Sequence, residues 1–455
     1  MIAQAASVLL GMLIANTASA LDSRRCLYDV QVQPGLVLEI AVSCDAQVRD
    51  LRPLDRYSHG HVSITRSAGD ADGFSAHYRV ALAELARDAA SLDGAVESGD
   101  SVLALPSSWL LYPHREQRGP AVLHVRVSTP RGIDFVTAQP MRDGVFDIAQ
   151  GELASAGFSA FGRLRRHSLL APPADSALAP DDYEVVMLDG SMDIAESALL
   201  QWIAHCADIM ARFWEGFPAP GLKIFVLPRA GAEGVVFGRD MSGGGVSTLL
   251  VIGEHATRAQ LDADWVLIHE LVHLGSPFVS GAPWLTEGLA TYFEPLIRAR
   301  YGLQSPGAMW TEFITHMPRG AAIMESAGLM RGGRRGWYWG GALLMLLADV
   351  EMRRASDGRL GLEDCLRAVR IRIGNYLRTI GLQEMTSACD QAVGGTVLAE
   401  LIDRHGRSAT ELDLQQLWRA LGVALVNGEL KIDDGAPLAR VRQAIVRGGP
   451  VEWIH

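Results

Sequence analysis

Two histidines four residues apart, His269 and His273, enclose a glutamate, Glu270, and a further glutamate, Glu287, follows within the run from Trp284 to Glu294. On a helix, residues four apart share a face, so both imidazoles can bind one ion while Glu270 stands beside a water on that ion. Two histidines, a base and a later carboxylate make the His₂Glu set of a catalytic zinc site, whose fourth position is left to water. The expectation is zinc as cofactor, His269, His273 and Glu287 as ligands, and Glu270 as general base. The competing reading is a core helix whose histidines are only hydrogen-bonded.

The neighbouring residues favour ligands. Leu261 to Ile268 reads as a helix leading into the motif, with Asp262 and Asp264 near its start, where the helix dipole favours acid. Gly275 offers a stop. Trp265, Val266, Leu267, Ile268, Leu271, Val272 and Leu274 surround the polar trio, so the helix is predicted to be buried nearly all round. Polar side chains in such a place need partners. Glu294, two turns beyond Glu287, returns to the same face and is predicted to support a ligand histidine from behind; the other reading is a surface carboxylate ahead of Pro295. Gly243, Gly244 and Gly245 are either a flexible turn or the approach to an edge strand along which a substrate backbone pairs.

These residues need a scaffold, and 455 residues allow about three domains. A net charge of -11 with no compensating basic stretch argues against a nucleic-acid partner. The apolar run from Ala5 to Ala15, followed by Thr17-Ala18-Ser19-Ala20, predicts a signal peptide over residues 1–20 and export to the periplasm or beyond. An n-region without Lys or Arg leaves an uncleaved anchor as the alternative. No later segment has the eighteen or so unbroken apolar residues of a membrane span.

Residues 21–165 follow the period of strands, which predicts a β-sandwich. Tyr28, Val30 and Val32 alternate, then Leu36, Leu38, Ile40 and Val42, with Pro34-Gly35 as the turn. Folding the hairpin about Gly35 sets Val32 against Leu38, Val30 against Ile40, Tyr28 against Val42, and Cys26 against Cys44. A Cys26–Cys44 disulfide follows. Cys365 and Cys389 are candidates for a second bridge, which leaves Cys206 as a buried thiol. The histidines of this region (His59, His61, His77, His114, His124) are scattered and read as solvated or structural. From Tyr183 strands and helices alternate, with Asp193 and Glu196 as a capping box for a long helix. After Glu294 the chain becomes mostly helical, over 337–354, 362–374, 394–404 and 409–420. A hairpin turning at Asn427-Gly428 and a last helix near 436–446 close it.

The motif of residues 269–273, the run from Trp284 to Glu294, and Tyr338-Trp339-Gly340-Gly341-Ala342-Leu343 opening a helix together resemble the gluzincin peptidases of the aminopeptidase N and glycyl aminopeptidase type. The likeness covers roughly residues 185–355. It implies a multidomain α+β fold: an N-terminal β-sandwich over 21–165, a thermolysin-like zincin catalytic domain over 180–300, and a C-terminal α-helical domain over 301–455. It also implies Zn2+, a peptide or protein substrate, and peptide-bond hydrolysis. By that similarity Glu287 is the third ligand and Tyr338 the phenol that steadies the tetrahedral intermediate; its tryptophan neighbours equally allow a plain aromatic contact. Thirteen residues separate His273 from Glu287, a shorter interval than the family's. The family's exopeptidases hold the substrate amine with a glutamate just after the edge-strand glycines, where this chain has Val246-Ser247, although Glu233 or Asp240 could substitute. Exopeptidase or endopeptidase action stays open, as does oligomeric state. The alternative function is a peptide-binding or envelope scaffold that does not cleave.

Overall fold

The structure, a computed structural model, describes residues 25–69, 73–116, 119–169 and 183–449, so the predicted signal segment lies outside the described residues. The chain is a mixed α/β protein with two compact units. One comprises the described residues up to Asp193 together with Gly221–His255; the other comprises Ile194–Pro220 and Ala256–His455.

In the first unit, strand Arg25–Gln33 buries alternate residues, Cys26, Tyr28, Val30 and Val32, because side chains of a strand point to opposite faces in turn. It pairs with Val37–Cys44 in the register that sets Val30 opposite Ile40 and Cys26 opposite Cys44. The Cys26–Cys44 disulfide is formed there, as the alternation predicts. Six strands make this sheet, and four more, including Ser101–Ala104 and Ser159–Gly162, make a second. Tyr28, Ile40 and Tyr78 of the larger sheet share one core with Val102 and Phe161 of the smaller. Both buried phenols are satisfied, Tyr28 donating to the Leu111 carbonyl at 2.7 Å and Tyr78 to that of Trp109 at 3.1 Å.

A five-stranded sheet follows, in the order Arg165–Ser168, Tyr183–Met187, Leu222–Arg229, Ser247–Gly253, Val235–Met241. The strand after the three glycines is therefore interior, and the edge belongs to Val235–Met241, contrary to the expectation. Nor does Gly243 have backbone groups to spare. Its amide donates to the Ser155 carbonyl at 2.9 Å, and its own carbonyl accepts from the Gln139 side chain at 3.1 Å. A Cβ on Gly245 would overlap the Ala138 backbone. The glycines let two stretches of main chain pass at contact distance, which removes the ground for a substrate-pairing role. The Asp193 capping box is also absent: the long helix Glu196–Phe213 starts on Ala195 without a side-chain cap, and Asp193 meets the His255 ring at 2.8 Å.

The second unit is largely helical. Leu362–Arg372 and Leu382–Val393 are joined by the Cys365–Cys389 disulfide, and Cys206 is a buried thiol. The Asn427-Gly428 turn has positive φ at both residues, which suits a two-residue hairpin. Helix Pro306–Ser326 has no counterpart among the expected segments. Its Pro318 lies inside the helix, where proline ordinarily signals a break. Its Ser305 accepts from the Ala308 amide as N-cap, with Pro306 in the first turn.

Candidate metal centre

Two helices bring the candidate ligands together, and a third starts beside them. The first, Val266–His273, is short and almost wholly buried. It does not continue from Leu261: a separate turn, Arg258–Asp262, is closed by a Thr257–Gln260 capping box, and the chain breaks at residues 263–265. Asp264 then accepts from the Leu267 amide at 3.3 Å, so an acid does sit at the helix start, but from outside the helix. The second helix, Pro283–Arg300, carries Glu287, and the third, Trp339–Ala355, begins immediately after Tyr338.

Gly288 sets the distance between the second and third helices. A Cβ there would overlap the Gly341 backbone, and one on Gly341 would overlap the Trp284 carbonyl. The close approach therefore faces the helix of Tyr338. Gly288→Ala is expected to lower stability by about 1–3 kcal/mol through overpacking and to weaken zinc binding by displacing Glu287. Urea midpoints and a zinc titration of the variant check both effects.

His269 and His273 are 4% and 7% exposed. The Glu287 Oε2 lies 3.3 Å from the His269 Nε2 and 3.8 Å from the His273 Nε2. All three ligand atoms fall within 4.8 Å of one another. Zinc bonds of about 2.0–2.1 Å at tetrahedral angles would set donors roughly 3.3 Å apart, so the three atoms need only small shifts to share an ion. Burial, reinforced by the charge of His269, lowers the His273 pKa to about 4, which favours the neutral imidazole that ligation requires. Burial acts to raise the Glu287 pKa, but the hydrogen bond from His269 and the charges of both histidines hold it below the usual carboxylate value.

Aromatic rings enclose the pair. Trp265 meets His269 edge-on at 5.4 Å, and the Tyr338 ring lies 6.2 Å from the same imidazole. Tyr338 is 39% exposed, and its phenol pKa is raised, first by burial and then by the charges of Glu287 and Glu270. It remains a proton donor across the neutral range, and Glu270 is placed close enough to act on it. On the other side Tyr376 stacks on His273 at 6.2 Å. Sequence reasoning missed Tyr376: it lies in a loop, and the hydrogen bond its backbone N–H donates to the Leu274 carbonyl at 3.3 Å is a tertiary contact without local signal.

Glu294 is buried, but its carboxylate receives Arg298 at 2.9 Å rather than either imidazole. Arg298 in turn donates to the Ala263 carbonyl at 3.0 Å. Glu294 thus steadies the break ahead of the first helix, and the support expected for a ligand histidine is not formed. Two turns did return Glu294 toward the same face, yet the i,i+4 partner on its own helix is nearer.

Burial, with Glu312 and Asp264 adding to it, pushes the Glu294 pKa up to about 8 against the pull of Arg298. The folded state therefore keeps a proton that the unfolded chain releases near pH 4–5. Where the native state binds more protons, stability falls as pH rises, here between about pH 4.5 and 8. Glu294→Gln is expected to reduce that fall by up to one proton's worth of slope, measured as urea midpoints at pH 5, 7 and 9. An unchanged slope would contradict the assignment.

No family model matches the sequence, and no curated protein matches it either. Solved structures do match. An aminopeptidase N family protein from Idiomarina loihiensis is similar at TM-score 0.61 with 14% identity, over 88% of this chain and 78% of that one. An M1 zinc metallopeptidase from Deinococcus radiodurans aligns at TM-score 0.49 and 16% identity, covering 86% and 95%. The LTA4 hydrolase of yeast aligns at 0.49 and 10%, covering 86% and 68%. The first of these carries the structural conclusion: the chain has the fold of the aminopeptidase N family, the gluzincin type that its motifs resemble.

Proposed function

We propose that this protein is an exported zinc-dependent metallopeptidase in which His269, His273 and Glu287 hold the metal and Glu270 is the general base. The observation that carries the reading is the convergence of three buried or half-buried ligand atoms within 4.8 Å on two helices, the first of which also carries Glu270, with the Tyr338 ring beside His269. In this reading the first unit's paired sheets form a β-sandwich domain, the five-stranded sheet and motif helices form the thermolysin-like part, and the later helices form the C-terminal domain.

Zinc at this site would polarise the scissile carbonyl and bring a water's pKa toward neutrality. Glu270 takes the proton of the attacking water and passes it to the leaving amine. Tyr338, held protonated, donates to the oxygen on which negative charge develops, a contribution on the order of 3 kcal/mol for such a donor. Trp265 and Tyr376 flank the imidazoles and keep bulk water from their faces. Val246 and Ser247 are both buried and carry no carboxylate, and exopeptidase or endopeptidase action is left to the assay. Export agrees with the two disulfides and with the lack, among the described residues, of a helix long and apolar enough to cross a membrane. Incubating zinc-loaded protein with internally quenched peptides, free and blocked at the N-terminus, tests the proposal. Cleavage is expected, of free peptides alone for an exopeptidase and of blocked peptides as well for an endopeptidase; retention of peptides without cleavage would favour the scaffold.

A further inference from the structure

A cavity of about 660 Å³ lies within the second unit and is lined by both His269 and Tyr338, so it opens onto the candidate metal ligands. Trp265, Ile323 and Trp339 supply apolar wall, and the volume suits one or two amino-acid residues. Three arginines elsewhere in the unit are held by carboxylates, Arg298 by Glu294, Arg300 by Glu363 and Arg353 by Asp349. Arg319, Arg334 and Arg335 line the cavity, are exposed, and have no carboxylate partner among the described residues.

Two carboxylates also face the space. Glu294 is bonded to Arg298, and Glu312, half-buried, is acted on by the same guanidinium. Neither reaches the three arginines. The Arg334 guanidinium lies over the Trp337 ring, 5.7 Å from its centroid, which restrains it near Tyr338. A planar fork of N–H donors left open beside a reaction centre is matched to a carboxylate.

We propose that this cavity is a carboxylate-recognition subsite, in which Arg319, Arg334 and Arg335 receive a carboxylate of the bound peptide; the assignment rests on the peptidase reading of the adjoining metal centre. The substrates favoured are peptides that place an acidic side chain, or a free C-terminus, beside Tyr338. A lysine in the same place meets like charge. The net charge of -11 repels anions at long range, so a preference for carboxylates has to come from the local arginines.

The test uses zinc-loaded full-length protein carrying Glu270→Gln, which removes turnover, and dipeptide pairs that differ by one carboxylate. Calorimetry with Ala-Glu against Ala-Gln reads the side-chain source, and Ala-Ala against its C-terminal amide reads the terminal source. At least one pair is expected to favour the carboxylate by about tenfold. Arg334→Glu combined with Arg335→Glu should erase the difference, and Arg319→Gln, on an exposed helix position, should reduce it if the charge reversals do not fold. Affinities within twofold for both pairs, or a preference that survives the substitutions, would overturn the proposal. Wild-type cleavage of neutral quenched peptides is scored separately, so a peptidase without this preference is distinguishable from a protein that cleaves nothing.

Discussion

Glu270→Gln is expected to lower peptide turnover by about 10³-fold, within the range for loss of a general base, while zinc content stays at the wild-type level. The substitution keeps the shape of the side chain and leaves His269, His273 and Glu287 in place, so metal affinity has no reason to fall. It removes the group that accepts the water's proton. A second consequence is independent of turnover. The Glu270 charge helps raise the Tyr338 pKa, so the phenol of the variant should titrate lower, visible in the ultraviolet difference spectrum. Retained turnover with full zinc would assign the base to another residue.

The second large effect is on stability. Arg353, 1% exposed, donates to Asp349 at 3.0 Å and to the Gly449 carbonyl at 2.7 Å. Asp349 also accepts from the Tyr292 phenol at 2.7 Å, and Tyr292 lies on the helix of Glu287. Glu363, buried beside them, keeps Arg300 at 2.6 Å when Arg353 is removed. The uncompensated charge in Arg353→Leu is therefore that of Asp349, and leaving it buried should cost about 3–5 kcal/mol of unfolding free energy. Asp349→Asn in the same chain should recover part of the loss, because it removes the charge and keeps an acceptor for Tyr292. Urea unfolding of the two variants decides the point; a loss below about 1 kcal/mol for the single change would mean water reaches Asp349.

Which features could be read from residues alone follows from the range of the interactions that create them. The Cys26–Cys44 pairing was legible because a strand has period two and Gly35 locates the turn, so register follows by counting. The convergence of His269 with His273 was legible because a helix has a fixed turn, and Glu287 followed from the chemistry of a third ligand. Helix Pro306–Ser326 was hidden by Pro318, whose propensity is overridden by packing of Phe313, Met317 and Met324 in the core. Tyr376, the Arg298 partner of Glu294, and the Gly341 partner of Gly288 each depend on contacts that no local period encodes. The three glycines misled because the same residue type serves a substrate edge and a close crossing of main chain, and only the tertiary fold separates the two.

A zinc titration of metal-free protein, with Glu287→Ala beside it, tests most directly whether three side chains close on one ion. One tight, saturable site is expected in the wild type, with affinity sharply reduced in the variant. Equal binding by both proteins, or no saturable binding by either, would contradict the ligand set on which the proposed chemistry depends.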